Sequence, residues 1–145
     1  MKNQQLPAQS IPILAEIDVT VIGGTFAGLA SALQFANQGK RVIVVEPRTY
    51  LGSEMTAALS PWMNPSEQIS SKLIKICKES CGKTVSFGSS DWFVFHLDKL
   101  KSKLEDELLE AGVQLLYASL PIDLTRSQEN GNGLVIANKS GRQLI

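Results

Sequence analysis

The chain has 145 residues, of which 43% are hydrophobic and 19% are charged. Its 14 basic residues balance 14 acidic ones, so the composition indicates neither a nucleic-acid surface nor a membrane-binding face. No apolar run approaches the length of a membrane span, and residues 1–17 lack the apolar core of a signal peptide. These properties predict a cytoplasmic protein with one domain and a sizeable core.

Residues 1–17 form a predicted leader ahead of the first core strand. Their polar start precedes a short apolar run at Ile11–Leu14. Pro12 lacks a backbone N–H, so this run suits an edge strand and not a central one. We therefore expect the domain itself to span residues 18–145.

Residues 18–46 predict a strand, a glycine-rich turn, a helix and a second strand, in that order. Apolar runs at Val19–Ile22 and Val42–Val45 supply the strands, and an alanine-rich pattern between them predicts a helix that ends at Gly39. The turn has the sequence G-G-T-F-A-G, and Glu46 follows the second strand. This order is typical of a unit that binds an adenine dinucleotide.

The negative charge of a pyrophosphate explains the glycines. A helix N-terminus offers unpaired N–H groups and the positive end of the helix dipole. Gly23 permits the sharp turn that brings a phosphate to those groups, and Gly28 lets the helix lie close to the first strand. Glu46 has the spacing of an acid that accepts hydrogen bonds from ribose hydroxyls.

Thr25 stands where the second glycine of a G-x-G-x-x-G turn is expected. Its side chain could crowd a phosphate, or its hydroxyl could donate a hydrogen bond to one. The turn alone also fits a buried strand–helix–strand unit that binds nothing. The combined spacing of the strands, the helix, Gly39 and Glu46 favours the dinucleotide site.

The next part of the chain predicts a loop followed by a helix. Residues 47–63 form the loop, with a short helical stretch near Met55–Leu59. An Asn-Pro pair at residues 64 and 65 predicts a helix that continues to about residue 80 and stops at Gly82. Its expected inner face consists of Ile69, Leu73, Ile76 and Cys77.

The chain has two cysteines and one histidine. Cys77 and Cys81 would share one helix face. We interpret them as ordinary reduced thiols, and His96 as a packing or surface residue. No metal site is predicted, because no further cysteine or histidine is present.

The remainder predicts a helix followed by strands, after residues 83–95, which could be a strand or a loop. Leu97–Ala111 has the period of an amphipathic helix, and Val113–Ala118 suits a buried parallel strand. Two glycine-containing turns then separate short apolar runs, which predict an antiparallel meander. Its expected strands are Ile122–Ser127, Leu134–Asn138 and Leu144–Ile145.

Three segments resemble FAD-dependent oxidoreductases of the glutathione-reductase-like superfamily. Gly23–Gly28 match a G-G-T-x-A-G turn, in which threonine is common, and residues 46–48 match E-P or E-R. Leu51–Thr56 match L-G-G-M-x-T, except at Ser53-Glu54. The specific match covers residues 18–63, and looser similarity continues to the end of the chain.

The resemblance implies an α/β fold: a Rossmann-like parallel sheet flanked by helices, with a C-terminal antiparallel β-meander. Residues 64–111 would be a largely helical insertion, because the next convincing strand after Glu46 begins only near Val113. Such a gap suits FAD folds of this superfamily and not a simple NAD domain. The chain ends within the meander, so we expect an incomplete FAD-binding domain whose remaining enzyme is missing.

The resemblance also implies FAD as the cofactor. The glycine turn would wrap the pyrophosphate, Glu46 would bind the adenosine ribose, Arg48 would lie near the adenine or the phosphates, and Met55 and Thr56 would approach the flavin. The catalytic residues and the small-molecule substrate stay unassigned. The expected cofactor contacts are Gly23, Gly24, Thr25, Phe26, Ala27, Gly28, Glu46, Pro47, Arg48, Gly52, Met55 and Thr56.

Two other functions share the glycine turn. An NAD-dependent dehydrogenase explains the turn and Glu46, but not residues 51–56 or the delayed strand. A non-catalytic or truncated dinucleotide-binding module would keep the fold without turnover. An FAD-dependent oxidoreductase accounts for all these features, and Glu46 would repel the 2′-phosphate of NADP.

Overall fold

The computed structural model describes residues 10–64, 73, 75, 78, 79, 82–127 and 131–145. Its first unit consists of β1 (Val19–Ile22), α1 (Phe26–Asn37) and β2 (Val42–Val45). The helix ends as predicted: Gly39 has a φ of +77° and its N–H donates to Ala36 O. A left-handed glycine immediately after the last turn is a common helix stop.

A three-stranded parallel sheet forms the centre of the molecule. Its order is β1, β2 and β6 (Gln114–Leu116), with Val19 opposite Val42 and Val44 opposite Leu115. The predicted third strand is confirmed, although it is shorter than expected. All four residues of β2 are buried, because β2 is the central strand and both of its faces are covered.

Helices cover one face of this sheet, and strands cover the other. Val42 and Val44 pack with α1 and with α3 (Leu97–Glu110) in the larger apolar core. Val45 points to the opposite side and packs with Leu134 and Ile136 of the meander. Alternate residues of one strand thus serve two cores, as the two-residue period of a strand requires.

The predicted amphipathic helix is confirmed as α3. Leu100, Leu104 and Leu108 are fully buried, whereas Leu109 is 53% exposed. Gly112, with a φ of +76°, follows the helix. The spacing of the three buried leucines places them on one face of the helix, which packs against α1 and against the loop that follows β2.

A second sheet lies mostly within the region predicted to be a largely helical insertion, residues 64–111, and its first strand precedes that region. β3 (Trp62–Met63), β4 (Gly82–Phe87) and β5 (Ser90–Phe95) form it in the antiparallel order β3, β5, β4. Residues 83–95, for which the sequence left a strand and a loop as alternatives, therefore belong to a hairpin. Gly82 begins β4, and a Cβ there would collide with the ring of Phe93.

The predicted helix between residues 65 and 80 lies mostly outside the described residues. Four residues within it are described, and Leu73, Lys75, Lys78 and Glu79 are all helical. Leu73 is buried in the larger core, as expected for the inner face. The predictions for Ile69, Ile76, Cys77 and Cys81 fall on residues that are not described.

The short helix after β2 begins earlier than predicted. It is α2 (Ser53–Thr56), not Met55–Leu59. Gly52 precedes it with a φ of +67°, and Leu59 has a φ of +51°, which is incompatible with a right-handed helix. Gly52 sets the observed start of α2, because its backbone packs against the side chains of Leu104 and Phe26.

The meander is confirmed as β7 (Leu120–Ser127), β8 (Gly131–Asn138) and β9 (Gly141–Leu144). Ile13 forms an isolated bridge to Leu144, so residues 11–14 lie at the edge of this meander and not beside β1. Among the described residues, no helix has both the length and the apolar content needed to cross a bilayer.

Candidate functional site

The glycine-rich turn joins the carboxyl end of β1 to the N-terminus of α1. Gly23 has a φ of +99°, a conformation that L side chains rarely adopt, and its N–H donates to Val45 O at 2.9 Å. A Cβ on Gly28 would collide with Gly23 O and lie 3.4 Å from Val21 Cγ1. Gly23 is therefore required by its backbone conformation, and Gly28 by the close packing of α1 on the turn and on β1.

Thr25 is the N-cap of α1. It has extended backbone angles, and its Oγ1 accepts a hydrogen bond from the Gly28 N–H at 3.2 Å. The side chain therefore folds back onto the helix, and its hydroxyl hydrogen stays available to donate. This geometry favours the second of the two roles considered for Thr25, a hydroxyl that can bond a phosphate.

Glu46 follows β2 and is only 2% exposed. Its Oε2 accepts the Gly24 N–H at 2.6 Å, and its Oε1 accepts the Arg48 N–H at 2.8 Å. The half-exposed Arg48 guanidinium lies 3.5 Å from Oε1. A buried carboxylate is thus held by two backbone donors and one cation, as buried charges require.

The loop after β2 packs directly on the glycine turn. The Gly52 N–H donates to Gly24 O at 2.7 Å, and a Cβ on Gly24 would lie 2.5 Å from Leu51 Cδ2. A Cβ on Gly52 would lie 2.6 Å from Leu104 Cδ1 and 3.3 Å from the Phe26 ring. The two loops and α3 therefore pack closely around both glycines.

Glu54 makes a further contact between the two loops. Its Oε1 accepts the Phe26 N–H at 2.7 Å, on an exposed surface. Phe26 is the first residue of α1, so this carboxylate sits at the positive end of the helix dipole. One signal in the sequence marks this position: Glu54 is acidic where the related motif has no acidic residue.

Met55 and Thr56 belong to the side of α2 that faces the core. Thr56 is 4% exposed, and its hydroxyl donates to Leu51 O or Gly52 O at 3.0 and 2.9 Å. Met55 is half-buried against the larger core. In this structure both residues stabilise the loop, and their approach to a flavin stays a prediction.

The end of β6 closes the site from a distant part of the chain. The Ala118 N–H donates to Arg48 O at 3.1 Å, and the Ser119 N–H donates to Glu46 O at 3.3 Å. Burial raises the pKa of the nearby Tyr117 phenol well above its ordinary value. These residues were not found from the sequence, because only the pairing of β2 with β6 brings them to this edge.

The remaining candidate residues take no part in the hydrogen bonds that join this cluster. His96 is exposed at the N-cap position of α3, where its side chain makes no capping hydrogen bond. Within the described part of the chain, no group of three or more His, Cys, Asp or Glu side chains could hold a metal ion. Pro47 is exposed next to Glu46.

The arrangement fits a pyrophosphate-containing dinucleotide. The carboxyl ends of β1 and β2 lie side by side, which places the N-terminus of α1 beside the Glu46 carboxylate. Ligands of open α/β sheets bind at this edge of the strands. Gly24 connects the glycine turn to Glu46, because it belongs to the turn and its amide donates to the Glu46 carboxylate.

The comparison with known families agrees with this geometry. Residues 18–145 match the family described as FAD dependent oxidoreductase. The chain belongs to this family. The predicted cofactor, FAD, and the predicted class of enzyme, a flavin-dependent oxidoreductase, are thereby confirmed for the family, as is the α/β fold with its parallel sheet and meander.

Solved structures share the fold of this FAD dependent oxidoreductase chain at low identity. THI4 from Thermovibrio ammonificans has 19% identity and a TM-score of 0.64, over 90% of this chain and 53% of its own. Aklavinone-11 hydroxylase, solved with FAD and aklavinone, has 17% identity and a TM-score of 0.54, over 90% of this chain and 31% of its own. p-Nitrophenol 4-monooxygenase PnpA from Pseudomonas putida DLL-E4 has 13% identity and a TM-score of 0.61, over 93% and 39%.

The chain spans about half or less of the length of these solved proteins. No curated protein matches its sequence significantly. The comparisons therefore establish the family and the fold, and they leave the substrate open.

Proposed function

We propose that the chain is the FAD-binding portion of a flavin-dependent oxidoreductase. The glycine turn would hold the pyrophosphate, and Glu46 would hold the adenosine ribose. The hydrogen bond between the Gly24 amide and the Glu46 carboxylate carries this proposal, because it joins the phosphate turn and the ribose acceptor into one unit. Fold similarity to a hydroxylase solved with FAD supports the same cofactor.

The helix end would supply the phosphate contacts. The N–H groups of the first turn of α1 point away from the helix, and the helix dipole favours an anion there. The Thr25 hydroxyl, which accepts from the Gly28 N–H, keeps a hydrogen that can be donated to a phosphate oxygen. Gly23 and Gly24 would let those oxygens approach the backbone.

The buried carboxylate would supply the ribose contact. A carboxylate has about four acceptor positions, and Glu46 uses two of them for the backbone amides of Gly24 and Arg48. The ribose hydroxyls would reach the remaining positions after the half-exposed Arg48 guanidinium moves aside. Arg48 could then contact the adenine or the phosphates, and Pro47 would border the same opening.

FAD would supply the redox chemistry by accepting a hydride or electrons. The described residues of this chain bind and orient it, and we assign none of them as an acid, a base or a nucleophile. We propose that further polypeptide provides the substrate site, since the chain covers about half or less of the solved structures. A cytoplasmic location stays a prediction from composition.

An equilibrium titration tests the proposal. Flavin fluorescence and the visible spectrum should report FAD binding to the folded chain, and NAD⁺ at the same concentration should not displace it. Glu46→Gln keeps the size of the side chain and removes its charge. It should weaken FAD binding by about 1.5–3 kcal/mol, the cost of losing hydrogen bonds to a charged group.

Glu16→Gln provides the matched control. Glu16 is exposed and precedes the amino end of β1, roughly 13 Å or more from the glycine turn. This variant loses the same charge and should bind FAD as the wild type does. A folded wild-type chain that binds no FAD, or that prefers NAD⁺, would overturn the proposal.

A further inference from the structure

The donors at the N-terminus of α1 are largely occupied by the chain itself. The Phe26 N–H donates to Glu54 Oε1 at 2.7 Å, and the Gly28 N–H donates to Thr25 Oγ1 at 3.2 Å. The Leu29 N–H already donates to Thr25 O within the helix. Among the described residues, Ala27 alone in this first turn has an N–H without a partner, and it is exposed.

A pyrophosphate and the Glu54 carboxylate need the same place. One N–H directed at a carboxylate oxygen at 2.7 Å cannot also make a full hydrogen bond to a phosphate oxygen. Both groups are anionic, so they also repel each other at this distance. Within the described part of the chain, no lysine or arginine forms an ion pair with Glu54 that would offset this repulsion.

Glu54 can leave this position at little cost. Its side chain is exposed and belongs to α2, a helix of four residues. The rest of the loop is held independently by the Gly52 N–H bond to Gly24 O and by the buried Thr56 hydroxyl. Rotation of the Glu54 side chain into solvent therefore breaks one exposed hydrogen bond and disturbs no buried contact.

We propose that Glu54 is an internal competitor for the cofactor's pyrophosphate. Its carboxylate accepts the Phe26 N–H in the structure, and it must withdraw when FAD binds. This inference rests on the proposed function, because it assumes that the phosphates of FAD bind at α1. Glu54 would therefore weaken FAD binding, whereas Glu46 would strengthen it.

Two variants of the full chain test the competition, with FAD titrations followed by flavin fluorescence. Glu54→Gln removes the charge, and Glu54→Ala removes the contact. Both should bind FAD about three- to tenfold more tightly than the wild type. The affinity for ADP, which carries the same diphosphate, should increase by a similar factor. Glu16→Gln should leave the affinities for FAD and ADP unchanged.

Salt and thermal stability provide independent readouts. Raising NaCl from about 0.05 M to about 0.5 M should narrow the gap between wild type and Glu54→Gln, because salt screens exposed charges. Without FAD, both Glu54 variants should melt at or below the wild-type temperature, since Glu54→Ala loses the bond to Phe26 and Glu54→Gln replaces a charged acceptor with a neutral one. With saturating FAD, their increase in melting temperature should exceed that of the wild type.

The outcomes separate this inference from the proposed function. If the wild type binds FAD and the Glu54 variants bind it equally or more weakly, the competition is wrong and the cofactor site stands. If the wild type binds FAD and the Glu54 variants bind it more tightly, both are supported. If the wild type and both variants are folded and none binds FAD or ADP, the proposed function fails and this inference fails with it.

Discussion

A buried hydrogen bond between the Gly24 amide and the Glu46 carboxylate connects two positions that lie 22 residues apart in the chain. Gly23, Gly28 and Glu46 could be found from the sequence, because backbone sterics and charge restrict which residues such a site accepts. The contact between Glu54 and Phe26 could not be found from the sequence, since it depends on how two loops pack. The core-facing positions of Met55 and Thr56 depend on the same packing.

A second pair of residues joins the other end of the strands and gives a prediction on pH. Asp18, just before β1, accepts the Arg41 N–H at 2.8 Å and forms an ion pair with its guanidinium. The hydrogen bonds from Arg41 lower the pKa of Asp18 from 3.8 to about 2. Because the folded-state pKa is the lower one, the stabilisation is fully present above about pH 4 and is lost as the pH falls towards 2.

Asp18→Asn should therefore be less stable than the wild type at neutral pH, by a small amount because the pair is exposed. Urea denaturation of both proteins over a series of pH values should show the difference shrinking between about pH 4 and pH 2. A difference that stays constant across this range would show that the Asp18 charge is not its source.

At the scale of elements, α3 provides the main packing support for the site. Leu104 is fully buried, and its Cδ1 lies against the backbone of Gly52 in the loop that contacts the glycine turn. Leu104→Ala should lower the free energy of unfolding by about 2–5 kcal/mol, because it leaves a cavity in the larger core. Chemical denaturation followed by circular dichroism measures this change.

Leu109→Ala is the control on the same helix. Leu109 is 53% exposed, so its removal should change the free energy of unfolding by no more than about 0.5 kcal/mol. Equal effects of the two substitutions would contradict the orientation of α3.

The elements differed in how well the sequence predicted them, for physical reasons. The two helices α1 and α3 and the meander have clear periodic patterns and glycine stops, and they were found. The hairpin of β4 and β5 stayed ambiguous, since nearly all of β4 is exposed and lacks alternation. The start of α2 was misplaced because Gly52 is fixed by contacts with Leu104 and Phe26, which are distant in sequence.

At the scale of the whole molecule, β2 is the central strand of the parallel sheet and lies between the two apolar cores. Its residues contribute to both apolar cores, and its carboxyl end presents Glu46. The apolar runs and their spacing predicted the individual strands and helices, and the family resemblance implied the α/β class and the parallel sheet. Which face of the sheet receives the meander could not be predicted, because it depends on the long connection through α3 and β6.

The central claim is that FAD binds through the glycine turn and Glu46. The most direct test is an NMR titration of the ¹⁵N-labelled chain with FAD, following each backbone amide. The largest changes should occur at Gly23–Gly28 and at residues 46–48. A folded chain whose amides do not respond, or respond mainly in the hairpin of β4 and β5 or in the meander, would contradict it.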